Sequence, residues 1–239
     1  MTSRTISLTG ARGGHGTTTI AAALALFAAD HQRTALVSSD PSTAALIGVA
    51  SSGDDTITQV TPTLALARES SSIAALAAEV VVIDASAATS GPQSDIHAEH
   101  YVVLRGPCYV ALASLLAHPE RPDAIILVAE PKRSLTARDV TDVLDVPVVA
   151  TVEASPDVAR TIDAGLLVSR LHRLRELAPL RALATDPYAG RVRPSTARSR
   201  QRRTPLSNSI QTCRSRKAQT AASFVARVNA DTAGLLSRR

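Results

Sequence analysis

Thr9-Gly-Ala-Arg-Gly-Gly-His-Gly-Thr-Thr-Thr19 joins a short β-branched run, Thr5–Thr9, to ten unbroken apolar residues, Ile20–Ala29. A strand that feeds through glycines straight into a helix is a local pattern with a physical purpose. Glycines at 13, 14 and 16 let several backbone N–H groups converge on one anion, and the positive end of the following helix adds to the attraction. The same composition would serve an ordinary strand–helix turn. Its place directly after the first strand favours phosphate binding through Gly13–Thr18.

Outward from this loop, short apolar runs alternate with helical patterns. The spacing predicts strands at Thr5–Thr9, Thr34–Ser38, Thr63–Ala67, Val80–Asp84, Tyr101–Leu104, Asp123–Val128 and Val148–Val152. They are β-branched and too short for helices, as buried parallel strands are. Helices are expected at Thr18–Ala29, Ser71–Ala78, Tyr109–Ala117, Ala137–Leu144 and Pro156–Ala164, the last bracketed by Asp157 and Gly165. Leucines at 166, 167, 171, 174 and 177 predict one more, from Leu166 to about Leu183. Alternation of this kind implies a doubly wound α/β domain, mostly parallel, with helices on both faces of the sheet.

The glycine stretch resembles the deviant Walker A loop of MinD/ParA-like P-loop ATPases, Gly-Lys-Gly-Gly-x-Gly-Lys-Thr-Thr. On the glycine alignment, Ala11 stands at the first glycine, Arg12 at the signature lysine, Thr17 at the P-loop lysine and Thr18 at the magnesium-binding threonine. Ala35-Leu-Val-Ser-Ser-Asp-Pro41 is similar to the family's strand ending in Asp-x-Asp-Pro, with Ser38 at the first Asp and Asp40 at the second. Glu79-Val-Val-Val-Ile-Asp84 resembles Walker B. Ala98–Pro107 and Leu144–Gly165 resemble the next strand and the Val-Pro-Val strand with its helix, so the resemblance spans residues 4–165.

The resemblance implies ATP as ligand and Mg2+ as cofactor. Phosphate would be held by Arg12, Gly13, Gly14, His15, Gly16, Thr17, Thr18 and Thr19, and the metal by Thr18 and Asp84. Arg12 would be a charge clamp and Asp40 would orient water, the two catalytic candidates. Asp40 also reads as a turn or helix-cap residue. Thr17 lacks the lysine's charge, a loss of about 1.5–3 kcal/mol or roughly 10–100-fold in affinity. Ala129-Glu130 stands where relatives carry Asn-Arg for the adenine base. Outside this pattern, His97 and His100 are weak metal candidates and Cys108 reads as core packing.

Charge divides the chain. Residues 186–239 carry twelve Lys/Arg against two acids, a net of +10 within a total of +5, so the remainder is −5. Arg191–Arg203 mixes Arg with Ser, Thr, Pro and Gln without an apolar period, and cannot bury enough surface to offset its ordering entropy. The expected organisation is a domain over residues 1–185 and a basic, largely disordered tail over 186–239, with a hint of helix at Ala221–Leu236. The longest apolar run is too short to span a bilayer, the start lacks a secretory pattern, and two cysteines exclude a disulfide framework. The chain reads as cytoplasmic and not transmembrane.

Three functions fit these residues. The leading one is a MinD/ParA-like nucleotide switch for partitioning or positioning, with very slow or no hydrolysis and a nucleotide-dependent homodimer. The second is a pseudo-ATPase scaffold that binds a protein partner without turnover. The third is a tether whose tail contacts DNA or another anionic surface nonspecifically.

Overall fold

The computed structural model describes residues 3–50, 56–68, 76–86 and 98–186. Eight strands form one sheet: β1 (Arg4–Gly10), β2 (Thr34–Ser38), β3 (Ile57–Thr61), β4 (Leu64–Ala67), β5 (Val80–Asp84), β6 (Ala98–Arg105), β7 (Ala124–Ala129) and β8 (Val148–Glu153). Their order is β3-β4-β2-β5-β1-β6-β7-β8. Every neighbouring pair is parallel except β3–β4. The helices are α1 (Thr17–Ala29), α2 (Ser42–Leu46), α3 (Tyr109–Leu116), α4 (Ala137–Leu144), α5 (Pro156–Asp163), α6 (Leu167–Arg170) and α7 (Pro179–Thr185).

The two-residue period of each strand sorts side chains between two cores. Ile6 and Leu8, Leu36, Val80 and Val82, Val103 and Ile126 share one cluster with α1. Val102, Leu104, Ile125 and Leu127 point the other way, under Ala111 and Leu112 of α3 and Val140 and Leu144 of α4. Ala35, Val37, Ala67, Val81 and Ile83 make a third cluster on β2, β4 and β5. The run Ile20–Ala29 is buried throughout, because α7 packs over α1 while the sheet lies beneath it. A helix covered on both sides has no use for a polar face.

Three elements differ from the sequence expectation. Residues 166–183 are not one helix: α6 is followed by 3-10 turns at Leu171–Arg173 and Arg175–Leu177 and then by α7. Leu174 is extended (φ −85°, ψ 95°), and Pro179, which has no N–H to donate, starts a new helix instead of continuing one. The leucine spacing survives the break, since Leu167, Leu171, Leu174, Leu177, Leu180 and Leu183 are all buried. The pattern marked a buried face, and the backbone carrying it is segmented. The other two differences are additions, the antiparallel edge strand β3 and the short helix α2. Of the expected helix Ser71–Ala78, residues 71–75 lie outside the described residues, as do His97 and all of the expected tail beyond Asp186.

Candidate functional site

The chain leaves β1 at Gly10, where there is no room for a side chain. A Cβ there would stand 2.7 Å from Thr17 Oγ1 and 2.9 Å from the Arg12 carbonyl oxygen. Gly14 (φ 79°) and Gly16 (φ 83°) occupy the left-handed region that favours glycine. Gly16 is the N-cap of α1, with no side-chain cap and no acidic residue in the first turn. The first N–H groups of α1 are therefore left without a side-chain acceptor, and the end of the helix keeps its positive character. They border an open cavity of about 490 Å³ lined by Gly10, Arg12, Gly13, Gly14, His15, Gly16, Thr17, Thr18, Asp40 and Ser86.

Thr17, at the P-loop lysine position, is buried, with its hydroxyl turned toward Gly10. Thr18 Oγ1 lies 3.3 Å from Ser86 Oγ. Arg12 is exposed, and no carboxylate among the described residues pairs with it. Thr19 sits one residue further along α1 and does not line the cavity.

Beneath the loop the register of the sheet sets Ser38 beside Asp84. Asp84 is 4% exposed. Its Oδ2 accepts from Ser38 Oγ at 3.2 Å and its Oδ1 from the Ser86 N–H at 3.2 Å. Because Ser38 gives its only proton to Asp84, its oxygen accepts from Thr43 Oγ1 (2.8 Å) and from the Asp40 N–H (3.3 Å). Asp40 Oδ1 in turn accepts from the Ser42 N–H at 2.8 Å, closing a turn at the entrance to α2. The turn role that Asp40 offered in the sequence is thus present, on a residue that also lines the cavity.

On the β6 side, His15 Nδ1 lies 3.2 Å from the Val103 carbonyl oxygen and 3.3 Å from the Arg105 backbone nitrogen. Burial holds its imidazole below the ordinary histidine range, with Arg12 and Arg105 acting in the same direction. Glu130 is clamped by Arg105 (2.9 Å) and Arg133 (2.6 Å). Hydrogen bonds from those two guanidiniums hold its carboxyl below the usual carboxylate range. Glu130, Arg105 and Arg133 thus form a closed ion-pair cluster beside the ends of β6 and β7. His100 is engaged elsewhere: its Nε2 is 2.9 Å from Thr9 Oγ1 and its backbone N–H donates to Asp123 Oδ2. Cys108 packs partly buried beside the α3–α4 core.

Sequence reasoning missed Ser86, Thr43 and the Arg105–Glu130–Arg133 cluster. Ser86 was findable, lying two residues past a strand-ending carboxylate; the others depend on strand order. A second cavity of about 500 Å³, near Arg4, His31, Arg33 and Glu79, opens at the other end of the strands. Ligands of open α/β sheets bind at the carboxyl ends of the strands, where neighbouring connections diverge. Here that is the end of β1, between β5 and β6, which the loop occupies.

No family model matches the sequence, and no curated protein sequence does. Solved structures do match in shape. A ParA family ATPase from Chlorobium tepidum superposes with a TM-score of 0.58 at 15% identity, over 76% of this chain and 98% of that one. The septum site-determining protein MinD of Pyrococcus horikoshii, complexed with Mg-ADP, gives 0.57 at 15% identity, over 77% and 96%. The MinD cell division protein of Aquifex aeolicus gives 0.57 at 14% identity, over 76% and 95%. The chain has the fold of the MinD/ParA P-loop ATPases.

Proposed function

We propose that this chain is a nucleotide-occupancy switch of the MinD/ParA kind, acting in partitioning or positioning. It binds ATP with Mg2+ at Gly13–Thr18, turns it over very slowly or not at all, and uses occupancy to control dimerisation or partner contact. The observation that carries this reading is the uncapped start of α1 opening onto a cavity lined by Thr18 and Ser86, with the buried Asp84 carboxylate bonded to the Ser86 N–H behind them. Open backbone N–H groups suit phosphate, and hydroxyl and carboxylate oxygens suit a hard cation such as Mg2+. Thr18 and Asp84 would hold the metal, which when bound neutralises phosphate charge.

The chain's own residues explain why turnover would be slow. Phosphoryl transfer depends almost wholly on positioning and electrostatics. Thr17 supplies no charge, and Asp40 has one carboxylate oxygen committed to the Ser42 N–H. Arg12 is left as the charge clamp. Calorimetric titration with ATP, with and without Mg2+, beside a turnover assay tests the reading: binding with little or no turnover supports it.

A second reading is favoured by one observation. Ser38 occupies the Asp84 carboxylate from within the fold, as in a scaffold that binds a protein partner and needs no nucleotide. Absence of ATP binding would select it.

A further inference from the structure

His15 is the one loop residue whose ring nitrogen meets two incompatible demands. The Val103 carbonyl requires a proton on Nδ1, whereas the Arg105 N–H requires a lone pair there. The Val103 oxygen already accepts the Ala11 N–H at 3.0 Å, so it does not need His15. In the neutral ring, Nδ1 can therefore accept from Arg105 N–H while the proton sits on Nε2. A proton arriving from solvent at Nδ1 is received by the second lone pair of the Val103 oxygen, in exchange for the Arg105 bond. One socket holds the ring in both charge states without moving it. In both states Nε2 carries a hydrogen, and Nε2 has no partner among the described residues, while His15 lines the cavity.

We propose that His15 is the proton-linked anion contact of this loop. A polyphosphate in the cavity draws a proton onto His15, and the imidazolium supplies part of the charge that Thr17 does not. This rests on the nucleotide-site reading above. The charged groups around the ring are Arg12 from the loop, Arg105 from β6 and Glu130 beyond β7. Without an anion, burial and the two arginines outweigh Glu130 and the Val103 carbonyl, so the ring is neutral near pH 7. An added polyanion reverses the balance. The sign follows: affinity is weakest where His15 is neutral in both states, and rises as pH falls through the titration of the bound form.

The test uses the full chain with MgATP as probe, titrated calorimetrically at pH 6, 7 and 8 in buffers of different ionisation enthalpy. ATP itself titrates in this range, so the quantity read is the difference between the native chain and His15→Gln. The expected result is greater proton uptake by the native chain, and an affinity advantage over His15→Gln that grows several-fold from pH 8 to pH 6. In the unaltered chain, the His15 ring resonance titrates at higher pH with saturating MgATP than without. Equal proton uptake and parallel pH profiles, or an unmoved ring titration with ATP bound, overturn the role of His15 and leave the nucleotide site standing. No binding at any pH overturns both.

Discussion

A methyl group on Gly10 would meet Thr17 Oγ1 at 2.7 Å and the Arg12 carbonyl at 2.9 Å, and the second of these is backbone that cannot swing aside. Gly10→Ala is therefore expected to cost about 1–3 kcal/mol and to displace the loop; denaturant unfolding and ATP binding measured together check it. Thr17→Lys asks the opposite question. If the missing charge is the main defect, ATP binding tightens by roughly 10-fold or more; an unchanged affinity means that the loop differs in shape as well as in charge. The positions of the glycines and Thr18 at the start of α1, and of Asp84 at the end of β5, were legible in the sequence because strand ends and glycine turns are local. The Ser38–Asp84 bond was not. It joins residues 46 apart, and it exists only because β2 and β5 lie side by side in that register.

Helices and strands were legible where the apolar period is strong. The boundaries of β2, β5 and α4 are those the pattern predicts, and α1 differs by one residue. The segment after Gly165 shows what periodicity omits: spacing reports which face is buried, while backbone continuity is decided by Pro179 and the extended Leu174. β3 was missed because an edge strand such as Ile57–Thr61 is only half-buried and carries little apolar signal. Two predictions belong here. Leu180 is fully buried in α7 against α1, so Leu180→Ala should cost about 2–5 kcal/mol by chemical unfolding. Asp139 closes a capping box with Thr136 at the start of α4. The Thr136 hydroxyl and N–H hold its carboxyl below the usual range. Its stabilisation is present above the ordinary carboxylate pKa and is lost as pH falls through the depressed one. Asp139→Asn should flatten the acid limb of a pH–stability curve; an unchanged acid limb would contradict the cap.

At the scale of the whole chain, charge segregation makes its own prediction. Residues 186–239 hold nearly half of all Lys/Arg, while the rest is net −5. DNA binding, if the chain has it, should then belong to the tail, ignore sequence and weaken steeply with salt through counterion release. A truncation ending near Thr185 should fold and lose that binding at two salt concentrations. Equal binding by the truncated and full chains would place the basic face on residues 1–185. Among the described residues no helix is long and apolar enough to cross a membrane.

The proposed switch requires that the loop hold a nucleotide with uncharged Thr17 at the P-loop lysine position. The decisive measurement is calorimetric titration of the full chain with ATP, with and without Mg2+, beside the Thr18→Ala variant. The expected result is saturable binding at micromolar or weaker affinity, tighter with Mg2+, with the Mg2+-dependent part reduced in Thr18→Ala. The absence of both heat and thermal shift at millimolar ATP would overturn the nucleotide reading and select the scaffold.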